Sequence, residues 1–187
     1  DHSNGGYSYL TDVTIGAYEE IIVTGYFGGE ITFGPQGSNI VISNFAPHLE
    51  GFVAVHDPFQ GWLWAKNFST LVNGTGEFSQ ATHSGVHPSG DIFVSGVFSG
   101  ETDFGGYSIN ATSQDVFVAK FDAFSGTTLW VTSGGGVGAD ALDDMAITPN
   151  GEIKLATATG TISQWASFGY VAKGNVDAAI VELDEFN

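Results

Sequence analysis

The sequence predicts an all-β chain. It reads as an array of three units, each of four short antiparallel strands, with the last unit lacking its outer strand. Three observations predict it. A ten-residue stretch occurs three times, as "EGFVAVHDPF" (Glu50–Phe59), "DVFVAKFDAF" (Asp115–Phe124) and "DAAIVELDEF" (Asp177–Phe186). Around each copy the same order of apolar segments and turn residues returns, the mark of a repeat architecture. Composition agrees: 27 glycines in 187 residues, 13% aromatic and only 13% charged residues suit strands joined by many turns.

Each unit holds four segments of strand length, called A to D. Segment A is the most loosely shared: "YLTDVTI" at 9–15, "QATHSGV" at 80–86 and "ALDDMAI" at 141–147. Segment B follows a turn. "PSGD" at 88–91 and "PNGE" at 149–152 supply that turn, with Pro presetting φ and Gly accepting positive φ. B itself reads "VTGYFGG" at 23–29 and "VSGVFSG" at 94–100; in the third unit Thr157 stands where Gly25 and Gly96 stand.

Segment C is the recurring stretch, and its alternation shows how units pack. Phe117, Ala119 and Phe121 share one face, matched by Phe52, Ala54 and His56 and by Ala179, Val181 and Leu183. The other face is apolar at its centre too, with Val53, Val118 or Ile180. A sheet apolar on both faces must lie between others. Segment D carries "GWLWAK" at 61–66 and "GTTLWVT" at 126–132, with Trp64 and Trp130 equivalent. The Gly-rich stretches "LVNGTGEF" and "GGGVGAD" read as loops from D of one unit to A of the next. The third unit ends after C, leaving an open strand edge of the kind that invites pairing. The boundaries expected are an N-terminal segment 1–8, then units at 9–68, 69–133 and 134–187. Four-stranded units of this length stacked face to face are propeller blades.

The pattern P-x-G-[DE]-[IV]-x-V-[ST]-G-x-F-x-G-x-x-x-F-G, followed by D-x-F-V-A-K-F-D and G-x-x-L-W, resembles the SBBP-type β-propeller repeats of secreted and surface bacterial proteins. The resemblance spans about 9–186 and is strongest in the middle unit. It implies a propeller and an extracellular or cell-surface setting. It implies no catalytic residues.

Charge narrows the partners. There are 21 Asp and Glu against four Lys and no Arg, a net −17. Such a field repels phosphate backbones and anionic membrane surfaces, which excludes nucleic acid. No apolar run approaches the roughly 20 residues of a membrane helix, so no membrane insertion is expected. There is no cysteine, hence no disulfide framework or thiolate metal site. The chain starts at Asp1 without a leader, so a processed product or a piece of something longer is expected.

Candidate site residues follow. Asp57, Asp122 and Asp184 end segment C in each unit; recurrence at a turn favours capping of backbone N–H groups over metal binding. The denser stretch "GADALDD", with Asp140, Asp143 and Asp144, is the one place that suits calcium, though without D-x-D-x-D-G spacing. No other cofactor is implied. His83 and His87 are followed by a turn-forming Pro88, which argues against zinc. "GGGVG" lacks a following Lys and a helix start, so it cradles no phosphate. Glu19-Glu20 reads as a solvated hairpin rather than a glycosidase pair. Trp62 and Trp165 have no Trp counterpart in other units, which marks them as candidate exposed platforms for sugars. Asn67, Asn73 and Asn110 each open an N-x-[ST] glycosylation acceptor.

The expected function is a non-enzymatic structural or adhesive scaffold. Either self-association through the incomplete third unit forms a ring or filament, or the chain is a fragment of a longer propeller. The alternatives are a glycan-binding, lectin-like propeller, and a glycoside hydrolase or lyase.

Overall fold

The computed structural model describes residues 6–35, 39–44, 48–71, 76–159, 162–165, 168–170 and 177–183. Every regular element among them is a strand. The first unit contains β1 (Tyr7–Ile15), β2 (Ile21–Gly28), a small hairpin β3 (Glu30–Phe33) and β4 (Ile40–Ser43), then β5 (Glu50–Asp57) and β6 (Gly61–Leu71). The second contains β7 (Phe78–Val86), β8 (Ile92–Asp103), β9 (Ser108–Phe121) and β10 (Thr128–Val137). The third contains β11 (Ala141–Ile147), β12 (Ile153–Thr159), β13 (Ile162–Trp165), β14 (Phe168–Tyr170) and β15 (Asp177–Leu183). Antiparallel pairs run β1–β2–β5–β6, β7–β8–β9–β10 and β11–β12–β15. Segments A to D thus become a meander in each of the first two units. Segments A to C do so in the third.

Two features depart from a simple stack of separate sheets. First, the glycine-rich stretches read as loops are partly strand. Ser69–Leu71 of β6 pair with Glu101–Asp103 of β8, and Gly134–Val137 of β10 pair with Ile162–Trp165 of β13. The tail of each D strand therefore crosses to the next unit, and β1, β2, β5 to β10, β13 and β14 form one continuous ten-stranded sheet. Glycine marks close approach here: a Cβ on Gly134 would overlap the Trp165 indole, and one on Gly135 would overlap the Asp115 carboxyl. Second, every A strand carries an irregularity at the same place, between Leu10 and Asp12, Ala81 and His83, and Leu142 and Asp144.

Apolar side chains on both faces of the C strands of the first two units form the core, as the alternation predicts; in the third unit one face is covered, with Val181 buried and Ile180 exposed. Ile22, Val53, Val55, Trp64 and Phe68 of the first unit close on Val94, Phe98, Phe104, Phe117, Ala119 and Phe121 of the second. The opposite face of the second unit presents Phe93, Val97, Val116 and Val118 to Met145, Ile153, Leu155, Trp165 and Val181 of the third. There the buried Lys120 ammonium lies 3.0 Å from Asp91 and 5.5 Å from the Phe93 ring centre. A third cluster, with Phe27, Phe33 and Phe52, lies on the far side of the first unit.

The turn between A and B is the same in all three units. His87 N–H donates to Asp91 C=O and Thr148 N–H to Glu152 C=O, with Gly90 and Gly151 at φ +97° and +90°. In the first unit Gly16 N–H donates to Glu20 C=O, and the left-handed slot falls to Glu19 at φ +69°. A side chain there is strained. Glu19→Gly is therefore expected to stabilise the protein by about 1 kcal/mol, read as a higher urea midpoint. A lower midpoint would show that the turn tolerates the side chain.

Candidate functional site

The recurring carboxylates fasten turns. Asp57 Oδ1 accepts Phe59 N–H and Gln60 N–H, each at 2.7 Å. Asp122 Oδ1 accepts the Ser125 N–H and hydroxyl, each at 2.7 Å. Gln60 and Phe59 N–H donation to Asp57 holds that carboxyl below the usual carboxylate range, and Ser125 does the same for Asp122. Asp184 lies outside the described residues.

The three carboxylates proposed for calcium are not brought together. Asp140 is buried at the entrance to β11, its Oδ2 accepting Gly136 N–H at 3.2 Å. Asp143 and Asp144 are exposed on β11, and Asp144 Oδ1 accepts its neighbour's Met145 N–H at 2.8 Å. No group of three or more His, Asp or Glu among the described residues could hold a metal ion. His83 lies 3.9 Å from Asp144, whereas His87 bonds Ser89 within its turn.

A different carboxylate position recurs inside the seams. Glu50 and Asp115 each open segment C, beside the tail of the following D strand. Glu50 is buried and accepts Asn67 Nδ2–H at 2.6 Å and Ser69 Oγ–H at 3.4 Å. Burial raises its carboxyl above the ordinary value. Asp115 lies on Gly135, and its Oδ1 is buried without a hydrogen-bond partner. Burial first, and then the neighbouring Asp140 charge, raises Asp115 to about 6. The acid at the first position of "EGFVAV", "DVFVAK" and "DAAIVE" is the sequence signal for this position, and neither the apolar alternation of segment C nor its terminal Asp reveals it.

This shift has a sign. Folded Asp115 keeps its proton up to about pH 6, whereas the unfolded group loses it near 3.8. The folded chain then binds more protons between those values, so stability falls as pH rises through them and stays low above. A two-unit shift sets an upper bound of about 3 kcal/mol, which partial exposure cuts to about 1 kcal/mol. Asp115→Asn is expected to stabilise the chain by that amount at pH 7.5 and to leave it unchanged at pH 3. Equal changes at the two pH values would sink this account.

Of the two sugar-platform candidates, one is corrected outright. Trp165 is 2% exposed and lies in the second core over Gly134. It presents no open ring to a sugar, because a side-chain-free strand tail makes room for it. Trp62 is partly buried, its ring centre 4.9 Å from Phe33 and 5.1 Å from His56, and roofs the third cluster. The paired Trp64 and Trp130 differ. Trp64 Nε1–H donates to Ala123 C=O in the next unit at 2.9 Å, whereas Trp130 Nε1 is buried with no acceptor among the described residues. The Glu19-Glu20 reading needs half a correction: Glu20 is 4% exposed and accepts Tyr18 N–H at 3.0 Å, so Glu19 alone is solvated.

Asn67 is half-buried and its amide is held by Glu50. Asn73 lies outside the described residues. Asn110 is exposed on β9, at the rim of an open cleft of about 620 Å³ that Glu77, Ser99, Glu101 and Gln114 also line. No described helix is long and apolar enough to cross a membrane. Comparison with protein-family models and with curated proteins gives no significant match.

Proposed function

We propose that this chain is a non-enzymatic, extracellular β-propeller-repeat protein that serves as a structural or adhesive scaffold and assembles through its repeat units. One observation carries the reading: equivalent positions in successive units are spent on packing unit against unit, on both faces of the middle unit. The recurring acids support it. Asp57 and Asp122 fasten turns, and Asp115 and Asp140 share a buried seam instead of facing one another across an open cleft, as glycoside hydrolysis requires. The resemblance to SBBP-type repeats points the same way.

Closed propellers hold about four to eight blades. Three units therefore call for further blades, supplied by a second copy that completes a ring, by head-to-tail addition of copies, or by further units of a longer chain. Electron micrographs of the purified chain, with light scattering, test this. Rings or filaments heavier than the 19.6 kDa chain are expected. A monomer at every concentration would remove the assembly, and turnover of a polysaccharide panel would remove the non-enzymatic assignment.

A further inference from the structure

The shared irregularity aligns the three A strands residue by residue. Leu10, Val13 and Ile15 of β1 correspond to Ala81, Ser84 and Val86 of β7, and to Leu142, Met145 and Ile147 of β11. In the second unit this row is covered by the first. Ala81 is fully buried, Thr11 Oγ1–H donates to its carbonyl at 2.8 Å, and Ser84 N–H donates to Asp12 Oδ2 at 2.8 Å. In the third unit the row closes on the second: Met145 is buried in the core, with Leu142 and Ile147 packed against it. In the first unit the same row is bare. Leu10 is 68%, Val13 62% and Ile15 63% exposed, and Ile21 beside them is 37% exposed where its counterparts Ile92 and Ile153 are 1% and 0%. The outer half of this face is already roofed by Trp62 over Phe33.

The far face of the third unit shows the converse. Ile180 pairs with Ala156 as Val118 pairs with Ser95 and Val53 with Thr24. Val53 and Val118 are each covered by the following unit and are 0% exposed, whereas Ile180 is 70% exposed. Beside it Lys154 lies 3.2 Å from both Glu152 and Glu182, so this cation, on the described part of the face, is already matched.

We infer that the strip Leu10, Val13, Ile15 and Ile21 docks the outer face of the third unit of a second copy, with Ile180 at the contact centre. The occupant follows from continuity: the same row is covered twice within the chain, each time by the face on which Val53 or Val118 sits. An apolar strip of this kind is a recognised mark of an interaction surface. The inference rests on the assembling-scaffold reading and specifies its contact.

Sedimentation velocity of the full chain tests it, over a wide concentration range at low and high salt. The wild type should associate, more strongly at high salt, where the mutual repulsion of −17 chains is screened. Val13→Glu and Ile180→Glu should each weaken association about tenfold or more, with unchanged melting, while Val41→Glu on β4 should not. Val13→Lys mixed with Ile180→Glu should restore mixed assemblies. If the wild type associates and Val13→Glu and Ile180→Glu associate equally well, this surface is wrong and the scaffold reading stands. If the wild type never associates, both fall.

Discussion

Phe68→Ala is expected to destabilise the protein by about 3–5 kcal/mol. Phe68 is fully buried on the D strand of the first unit. Its ring lies 4.9, 5.5 and 5.9 Å from those of Phe104, Phe117 and Phe121, all in the second unit. Truncation removes a ring that packs against all three, and the close-packed surroundings leave a cavity in its place. The effect should appear as a lower urea midpoint with an unchanged slope. Phe59→Ala is the control, because Phe59 is 91% exposed in the next turn and should change stability by less than about 0.5 kcal/mol. A loss at Phe68 below about 1 kcal/mol would mean that the two units do not depend on this contact.

Gly96→Thr should cost about 3 kcal/mol, at the upper end of overpacking effects. A Cβ at Gly96 would overlap the Gln80 carbonyl oxygen and come 2.9 Å from the Phe117 ring. Gly25 is enclosed in the same way, by the Tyr9 carbonyl and the Phe52 ring. The third unit makes the test sharp. There the corresponding residue is Thr157, buried at 3% exposure and paired with Leu142 next to the same irregularity. Its C-strand neighbour is Ala179, where Phe52 and Phe117 stand in the other units. No phenyl ring stands over the threonine there, so one of the two obstacles met at Gly96 is missing. Gly96→Thr combined with Phe117→Ala should therefore cost less than the sum of the two changes. Strict additivity, or a Gly96→Thr variant as stable as wild type, would show that the ring is not what excludes the side chain.

How much of this was legible in the sequence depends on the length scale of each signal. The A to D meander strands, their antiparallel order and the two apolar faces of segment C come from alternation over a few residues, and they recur; the hairpin β3–β4 and the strands β13 and β14 do not recur and lie outside that pattern. Turn chemistry was legible for the same reason: Asp57 and Asp122 hold backbone N–H groups three residues away at most. The seams were not legible. Gly134 and Gly135 look like a loop until it is known that Trp165 and the Asp115 carboxyl lie against them, and that knowledge requires strand register. Trp165 was misjudged on the same ground, since absence from other units says nothing about burial. The bare row on β1 was hidden too. Leu10, Val13 and Ile15 are chemically like Leu142, Met145 and Ile147, and only the exposure of one set separates them.

The D-strand tails that pair into the next unit also set how the protein opens. Amides on opposite sides of each crossing are locked by hydrogen bonds that belong to neither unit alone. Hydrogen exchange at Ser69–Leu71 and Glu101–Asp103 then reports on whichever neighbour lets go first. Two units that melt separately would expose those amides at the rate of the weaker one. Two units that melt as a single foldon would keep them protected to the global limit. The crossing is expected to make the first and second units one cooperative body, and deuterium uptake at those six residues is the place where that would be seen.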